Sequence, residues 1–345
     1  MAADPITSAS DDAALLEEIG ELEARLRDAR ARLHGSLEAR SKEEAVVTTT
    51  APSLILTPKQ PDSRTHFLLL LADSALPLGS FAFSSGLESY LVHARHGNKN
   101  SNHAARTGGT GGGTASSSFA AFLPSSVSSL AGTTLPFVLA AHRRPRALPD
   151  LDDQLDAAVL CTVGRRASVA QGRALLGIWE RSLRDDADAG AGAGVGAGRW
   201  GPEASFLRDF GAALRAENNN SSRGSGGTTA RDENDDDDIP PATLSAHLGP
   251  LFGAVSAVVG LSPRQAAYVF VLGHVKALVS AAVRAGVFGP FQAQKVLAGG
   301  AVQAAIEAVV DREWDTPVDE AGQSVPVMDL WVGRHEVLYS RIFNS

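Results

Sequence analysis

An all-α fold is what this sequence predicts: one helical-bundle domain, preceded by an amphipathic helix and interrupted by disordered insertions. Three observations carry that expectation. Apolar residues recur at helical spacing, every fourth position at Leu155, Val159, Val163 and again at Phe206, Phe210, Leu214. Helix start and stop signals are explicit: Ser262-Pro263 is an N-cap with proline at the first helical position and Gly286 a stop, so 263–285 reads as one helix. No window alternates apolar and polar residues over strand length beside a turn signal.

In chain order, residues 11–40 place Leu15, Ile19, Leu22, Leu26, Ala29 and Leu33 on one stripe, a seam of about three heptads. It reads either as a solvated amphipathic helix on its own domain or as a dimerisation device. Residues 41–64, with Pro52, Pro58 and Pro61, form a linker, so 1–64 is one region and 65–345 the helical domain. His66 to Ala72 is a short apolar helix that Pro77 and Gly79 end in a turn. Ser85 is expected to restart a helix through a capping box with Glu88, and Gly97 to stop it. After a low-complexity insertion at about 97–118, Phe119, Phe122, Leu135 and Val138 resume the pattern, kinked or broken at Pro124 and Pro136. Asp150 to Leu183 reads as one long helical stretch. Further insertions follow at 185–199 and 216–243. The helix over 263–285 is apolar nearly all round, as a central helix must be when several neighbours pack on it. Gly289-Pro290 then restarts a helix through Val310, with a break at Gly299-Gly300.

Of the 345 residues, about 215 lie outside the polar entry and the insertions, which suits one large domain with its own core. With 31 basic against 39 acidic residues the net charge is −8, and no basic stripe offsets it, which argues against a nucleic-acid partner. A single cysteine, Cys161, supports neither an internal disulfide nor a thiolate metal site. Arg264, His274, Lys276 and Arg284 interrupt the most apolar region, so no membrane span is expected. Met1 to Asp12 is acidic and lacks the flanks of a signal peptide, as expected of a cytoplasmic protein.

The motifs of resident chemistry are weak. No P-loop occurs, and the glycines at 190, 192, 194, 196 and 198 do not fit a dinucleotide fingerprint. Ala82-Phe83-Ser84-Ser85-Gly86 approximates a nucleophile elbow, which would make Ser84 a hydrolase serine with His335 downstream, but no strand precedes it. His93 and His96 sit at i, i+3 with His103 in the following loop; helix-end histidines explain them as well as an incomplete metal site does, and no metal is assigned. The sequence 328–345 is the strongest local signal, interspersing Trp331, Tyr339 and Phe343 with Arg334 and Arg341, residue types that carry interface hot spots. The alternative is a last helix closing the domain's own core. Removing the last dozen or so residues is expected to abolish binding and leave folding intact.

Two segments, Leu71 to Glu88 (LADSALPLGSFAFSSGLE) and Arg334-His335-Glu336 with Tyr339-Ser340-Arg341 and Phe343, resemble the UreF family of urease accessory proteins. Ser280 to Gly286 with Pro290-Phe291 and Gln294 resembles the same family in the same order. The resemblance implies an all-helical, dimeric, non-catalytic protein that binds the accessory protein UreD, also called UreH. The pair recruits the GTPase UreG, which brings nickel to apo-urease, and helps regulate its GTP hydrolysis. Nickel and GTP are then handled by partners and this chain needs no cofactor. On this reading Arg334, His335, Glu336, Tyr339, Ser340, Arg341 and Phe343 meet the UreD-type partner. Pro77, Gly79, Phe81, Phe83, Ser85 and Glu88 form a partner-facing or dimer surface. A generic helical dimerisation protein is the alternative. The chain departs from the family pattern at Ser80, where a second glycine is usual, in its N-terminal heptads and in its insertions.

Overall fold

The computed structural model describes residues 63–101, 112–183, 204–224 and 244–344, with Arg25 and Ala29 alone in the N-terminal part. The chain divides into two units, Met1–Lys59 and Gln60–Ser345. All but Ala29 of the heptad stripe, the Gly/Ala tract, residues 102–111 of the first insertion and 225–243 of the last lie outside the described residues. The second unit is helical, with no strand among the described residues. Its helices are α1 (Ser63–Ala72), α2 (Leu87–Ser101), α3 (Gly112–Arg143), α4 (Leu148–Ala158), α5 (Thr162–Ile178), α6 (Ser205–Gly224), α7 (Leu248–Val258), α8 (Pro263–Arg284), α9 (Pro290–Leu297), α10 (Gly300–Arg312) and α11 (Val327–Gly333).

The centre is built on α3, α7 and α8. Gly249 and Gly253 let α7 lie against α3: a Cβ on Gly253 would stand 2.1 Å from the Val138 carbonyl oxygen, and one on Gly249 2.6 Å from Thr134 Cγ2. No larger side chain fits that crossing. Helix α8 starts where the sequence places it, with Ser262 Oγ accepting from Gln265 N at 3.2 Å and Gln265 Oε1 from Ser262 N at 2.9 Å. It buries Ala266, Ala267, Val271, Val275, Leu278, Val279, Ala281 and Ala282, and Gly286 at φ 71° follows its end. The restart at Pro290 and the break before Gly300 are also as expected. Both α3 and α8 are long and apolar enough to cross a membrane by length and composition, and most of each is spent in this core.

Three local expectations are corrected. Helix α2 runs past Gly97 to Ser101, and α3 begins at Gly112, within the stretch read as an insertion. Of the kink or break expected at Pro124 and Pro136, the break is overturned, since α3 runs through both. Pro136 has no N–H for the carbonyl of Gly132, and that carbonyl accepts instead from Gly322 N at 3.0 Å, so the helix continues with its lost bond replaced from outside. The stretch 150–183 is not one helix: Val159 and Cys161 are extended, at ψ 99° and 111°, and separate α4 from α5.

That break lets α4 and α5 grip the chain where it returns at 244–248. Asp152, fully buried, accepts from Ser245 N at 2.8 Å and Ala246 N at 2.9 Å through Oδ2, and from His247 N at 2.6 Å through Oδ1. His247 is also fully buried, its Nδ1 3.0 Å from Ser168 Oγ and its Nε2 2.8 Å from Asp156 Oδ1. The grouping has the composition of a nucleophile relay. Yet Ser168 Oγ also takes the Leu248 N–H at 3.3 Å, and every member holds backbone or another member, so the network is structural. Burial pushes the Asp156 carboxyl up, but hydrogen bonds from Arg165, His247 and Ser245 outweigh it and bring it down to about 2.

Acid sensitivity follows. Burial pushes His274 down to about 4 from 6.5, where it shares a 2.9 Å hydrogen bond with Ser126 Oγ. Over both windows the unfolded chain binds more protons, so stability rises with pH. The His274 contribution is complete above 6.5 and is lost as pH falls towards 4; that of Asp156 is lost between its ordinary 3.8 and about 2. Melting followed by circular dichroism across pH should show His274→Gln flattening the first window and Asp156→Asn the second. Parallel curves for wild type and variant would refute the assignment.

Candidate functional site

The fold joins the three segments singled out in the sequence. Asn344 N donates to the Ala82 carbonyl at 2.8 Å, linking the last residues to the turn after α1. Arg284, at the end of α8, donates to the Phe81 carbonyl. Its guanidinium lies 4.4 Å from the Phe343 ring centroid and 6.0 Å from that of Phe81. Glu88, on α2, accepts from His335 Nε2 at 3.0 Å, Ile342 N at 2.7 Å and Phe343 N at 3.3 Å.

The start of α2 is therefore not the expected capping box. Ser84, not Ser85, supplies the cap, its Oγ accepting from Glu88 N at 3.4 Å, and the Glu88 carboxylate reaches the C-terminal segment. Ser85 (φ 49°) and Gly86 (φ 84°) are both left-handed, and a Cβ on Gly86 would stand 2.9 Å from Val332 N, so only glycine admits α11 here. A Ser85→Ala change has no cap to lose. The hydrolase reading falls with the same geometry, because Ser84 is wholly buried in a turn between helices.

The candidate residues divide by exposure. Glu88, His335 and Phe343 are buried, as the alternative of a core-closing tail requires, so the expectation that the last dozen residues take little from the core is corrected. Pro77, Arg334, Glu336, Ser340 and Arg341 are exposed, with Glu336 paired to Arg166. Gly79, at φ 72°, turns the chain ahead of Phe81; Phe83 and Ser85 are half-buried and line a cleft of about 1080 Å³ beside α3 and α8. Of the nine large apolar side chains left in solvent among the described residues, five lie on this turn or on the C-terminal run: Phe81 is 64% exposed, Leu330 63%, Val337 76%, Ile342 62%, and Tyr339 wholly; Leu69, Leu160, Phe291 and Val327 are the others. Leu330, Val337 and Ile342 belong to no motif that sequence reasoning named as a site; each lies within the aromatic-rich run 328–345 that could have flagged them.

Behind this surface, Trp331 packs edge-on against Tyr90 with centroids 5.4 Å apart and tilted against His93 at 5.3 Å, tying α11 to α2. His93 Nδ1 bonds the Ser89 carbonyl at 2.7 Å; the side chain of His96 and all of His103 lie outside the described residues. Among the described residues no three His, Cys, Asp or Glu side chains cluster as a metal site would need.

Comparison with known proteins accords with this arrangement. A sequence profile of the UreF family matches residues 114–301. A Schizosaccharomyces pombe protein described as an uncharacterized urease accessory protein UreF-like is 30% identical over 283 residues, covering 82% of this chain and 98% of its own. Urease accessory protein F of Oryza sativa is 27% identical, with 79% and 82% covered. Urease accessory protein 6 of Cryptococcus neoformans is 24% identical, with 81% and 96% covered. On the extent of these matches, the chain belongs to the UreF family of urease accessory proteins, a non-catalytic family with a role in urease maturation.

Proposed function

We propose that this chain is the scaffold on which nickel insertion into apo-urease is assembled: it binds the UreD/UreH accessory protein through the surface built from the Phe81 turn and the C-terminal segment, and the pair recruits the GTPase UreG and regulates its GTP hydrolysis. The observation that carries the reading is the exposure of Phe81 on the turn after α1 and of Leu330, Val337, Tyr339 and Ile342 on the C-terminal run that docks on it, the kind of side chains that anchor interfaces. The chain acts as a homodimer in the cytoplasm, and nickel and GTP belong to its partners.

The test is a pull-down from purified components with the double variant Phe81→Ser, Tyr339→Ser. Both side chains face solvent, so unfolding should shift by no more than about 0.5 kcal/mol. Wild type should retain UreD, retain UreG only when UreD is present, and support activation of apo-urease; the variant should lose UreD. Alone, the wild-type chain should neither hydrolyse GTP nor keep stoichiometric nickel after dialysis. A variant that holds UreD at full strength would remove this surface from the interface.

A further inference from the structure

We infer that the heptad stripe of residues 15–33 is a self-recognition device, which pairs with the same stripe of a second copy of this chain as an antiparallel coiled coil. Leu15, Ile19, Leu22, Leu26, Ala29 and Leu33 are spaced four, three, four, three and four apart, an order that reads the same from either end. Ala29, on the stripe, and Arg25, beside it, are helical and exposed, so at Ala29 the single chain leaves the stripe uncovered. Both lie in the unit Met1–Lys59. A heptad seam open to solvent needs a partner with the same repeat, and the charges choose a second copy.

Those charges are segregated about residue 24. Glu17, Glu18, Glu21 and Glu23 precede it and Arg25, Arg27, Arg30 and Arg32 follow, with Asp28 the exception. The dipole of a lone helix rewards such an order only within the first and last turn, whereas here it runs to the middle. With Ile19, Leu26 and Leu33 at a and Leu15, Leu22 and Ala29 at d, the g positions hold Glu18, Arg25 and Arg32 and the e positions Leu16, Glu23 and Arg30. Parallel pairing sets Glu18 against Glu23 and Arg25 against Arg30, like charges throughout. It also stacks Ala29 on Ala29, an underfilled layer. Antiparallel pairing lays the acidic half on the basic half: Leu15 meets Leu33, Ile19 meets Ala29, Leu22 meets Leu26, and Glu18 faces Arg32 at both ends. The like pairs left at the centre, Arg25 with Arg25 and Glu23 with Glu23, each have an opposite charge four positions away in their own chain, Glu21 and Arg27. Three heptads pair weakly alone, so the pairing rests on the homodimer proposed above, which raises the local concentration of one stripe around the other.

Disulfide trapping in the full-length chain tests this, in a Cys161→Ser background that removes the native thiol. Leu15→Cys and Leu33→Cys proteins should each form no cross-linked dimer by themselves, because antiparallel pairing puts identical positions about 27 Å apart, beyond the ~7 Å that a disulfide spans between Cα atoms. Mixed and allowed to exchange subunits, the two should form a mixed disulfide. Glu18→Arg in both chains should slow that cross-link about fivefold at low salt, and Arg32→Glu added to both should restore it. Cross-links from either variant by itself would show parallel pairing and overturn the inference, as would a mixed disulfide indifferent to the charge changes. Absence of any disulfide overturns it too, and sedimentation then separates the two readings: a dimeric chain leaves the homodimer standing without the stripe, and a monomeric chain removes both.

Discussion

Asp152→Ala should cost about 4 kcal/mol of unfolding free energy, measured by chemical denaturation, a large share of what a domain usually has. The carboxylate is wholly buried and gathers the N–H groups of Ser245, Ala246 and His247 within 2.6 to 2.9 Å. Ala246 sits at φ 68°, which a non-glycine residue adopts only when its surroundings insist. Without the carboxylate, three buried donors lose their acceptor, each at about 1–3 kcal/mol, less whatever water entering the cavity returns. Asp152→Asn should recover only part of this, because its oxygen can keep Ser245 N and Ala246 N while its amide nitrogen would face the His247 N–H. A loss below about 1 kcal/mol would show that the returning strand of chain is held by its apolar contacts alone.

Nothing in the sequence advertises this anchor. Asp152 and His247 lie 95 positions apart, with a low-complexity tract between them, and an aspartate in a helical run is ordinarily a solvated residue. The break between α4 and α5 was equally hidden, since no proline or glycine stands at 159–161; the turn is imposed by what α4 and α5 must grasp. By contrast Ser262-Pro263 and Gly289-Pro290 are decided within a few residues, and there the periodicity and cap rules locate helix starts correctly. The instructive failure is Glu88. Ser-x-x-Glu is a sound local signature, but the carboxylate had a stronger use at long range, three donors from residues 335 to 343. The resemblance to a family picked out three segments that periodicity could not connect, and the fold connects them. Which of their side chains point outward was not legible, because burial alternates within the tail in a way that depends on Glu88 and Arg284.

Truncation after Gly333 should therefore damage stability as well as binding. It removes His335 and Phe343, both buried, along with all three donors to Glu88. Loss of Phe343 burial contributes about 1.5–3 kcal/mol, and loss of hydrogen bonds to a charged acceptor about 1.5–3 kcal/mol for each bond. Much of the second term returns as water reaches the uncovered Glu88, leaving a net loss of about 3–5 kcal/mol. Partner capture should disappear with it, since Val337, Tyr339 and Ile342 go too. The two effects separate with point changes on the same segment: Tyr339→Ala and Ile342→Ala touch side chains that are largely in solvent and should leave the denaturation midpoint unmoved while weakening capture of UreD. Phe343→Ala should do the reverse first, lowering the midpoint and weakening capture only as far as the segment comes loose. A truncated chain that unfolds at the wild-type midpoint would mean that Phe343 and the Glu88 contacts add nothing to the free protein, and the tail would then be an arm waiting for its partner.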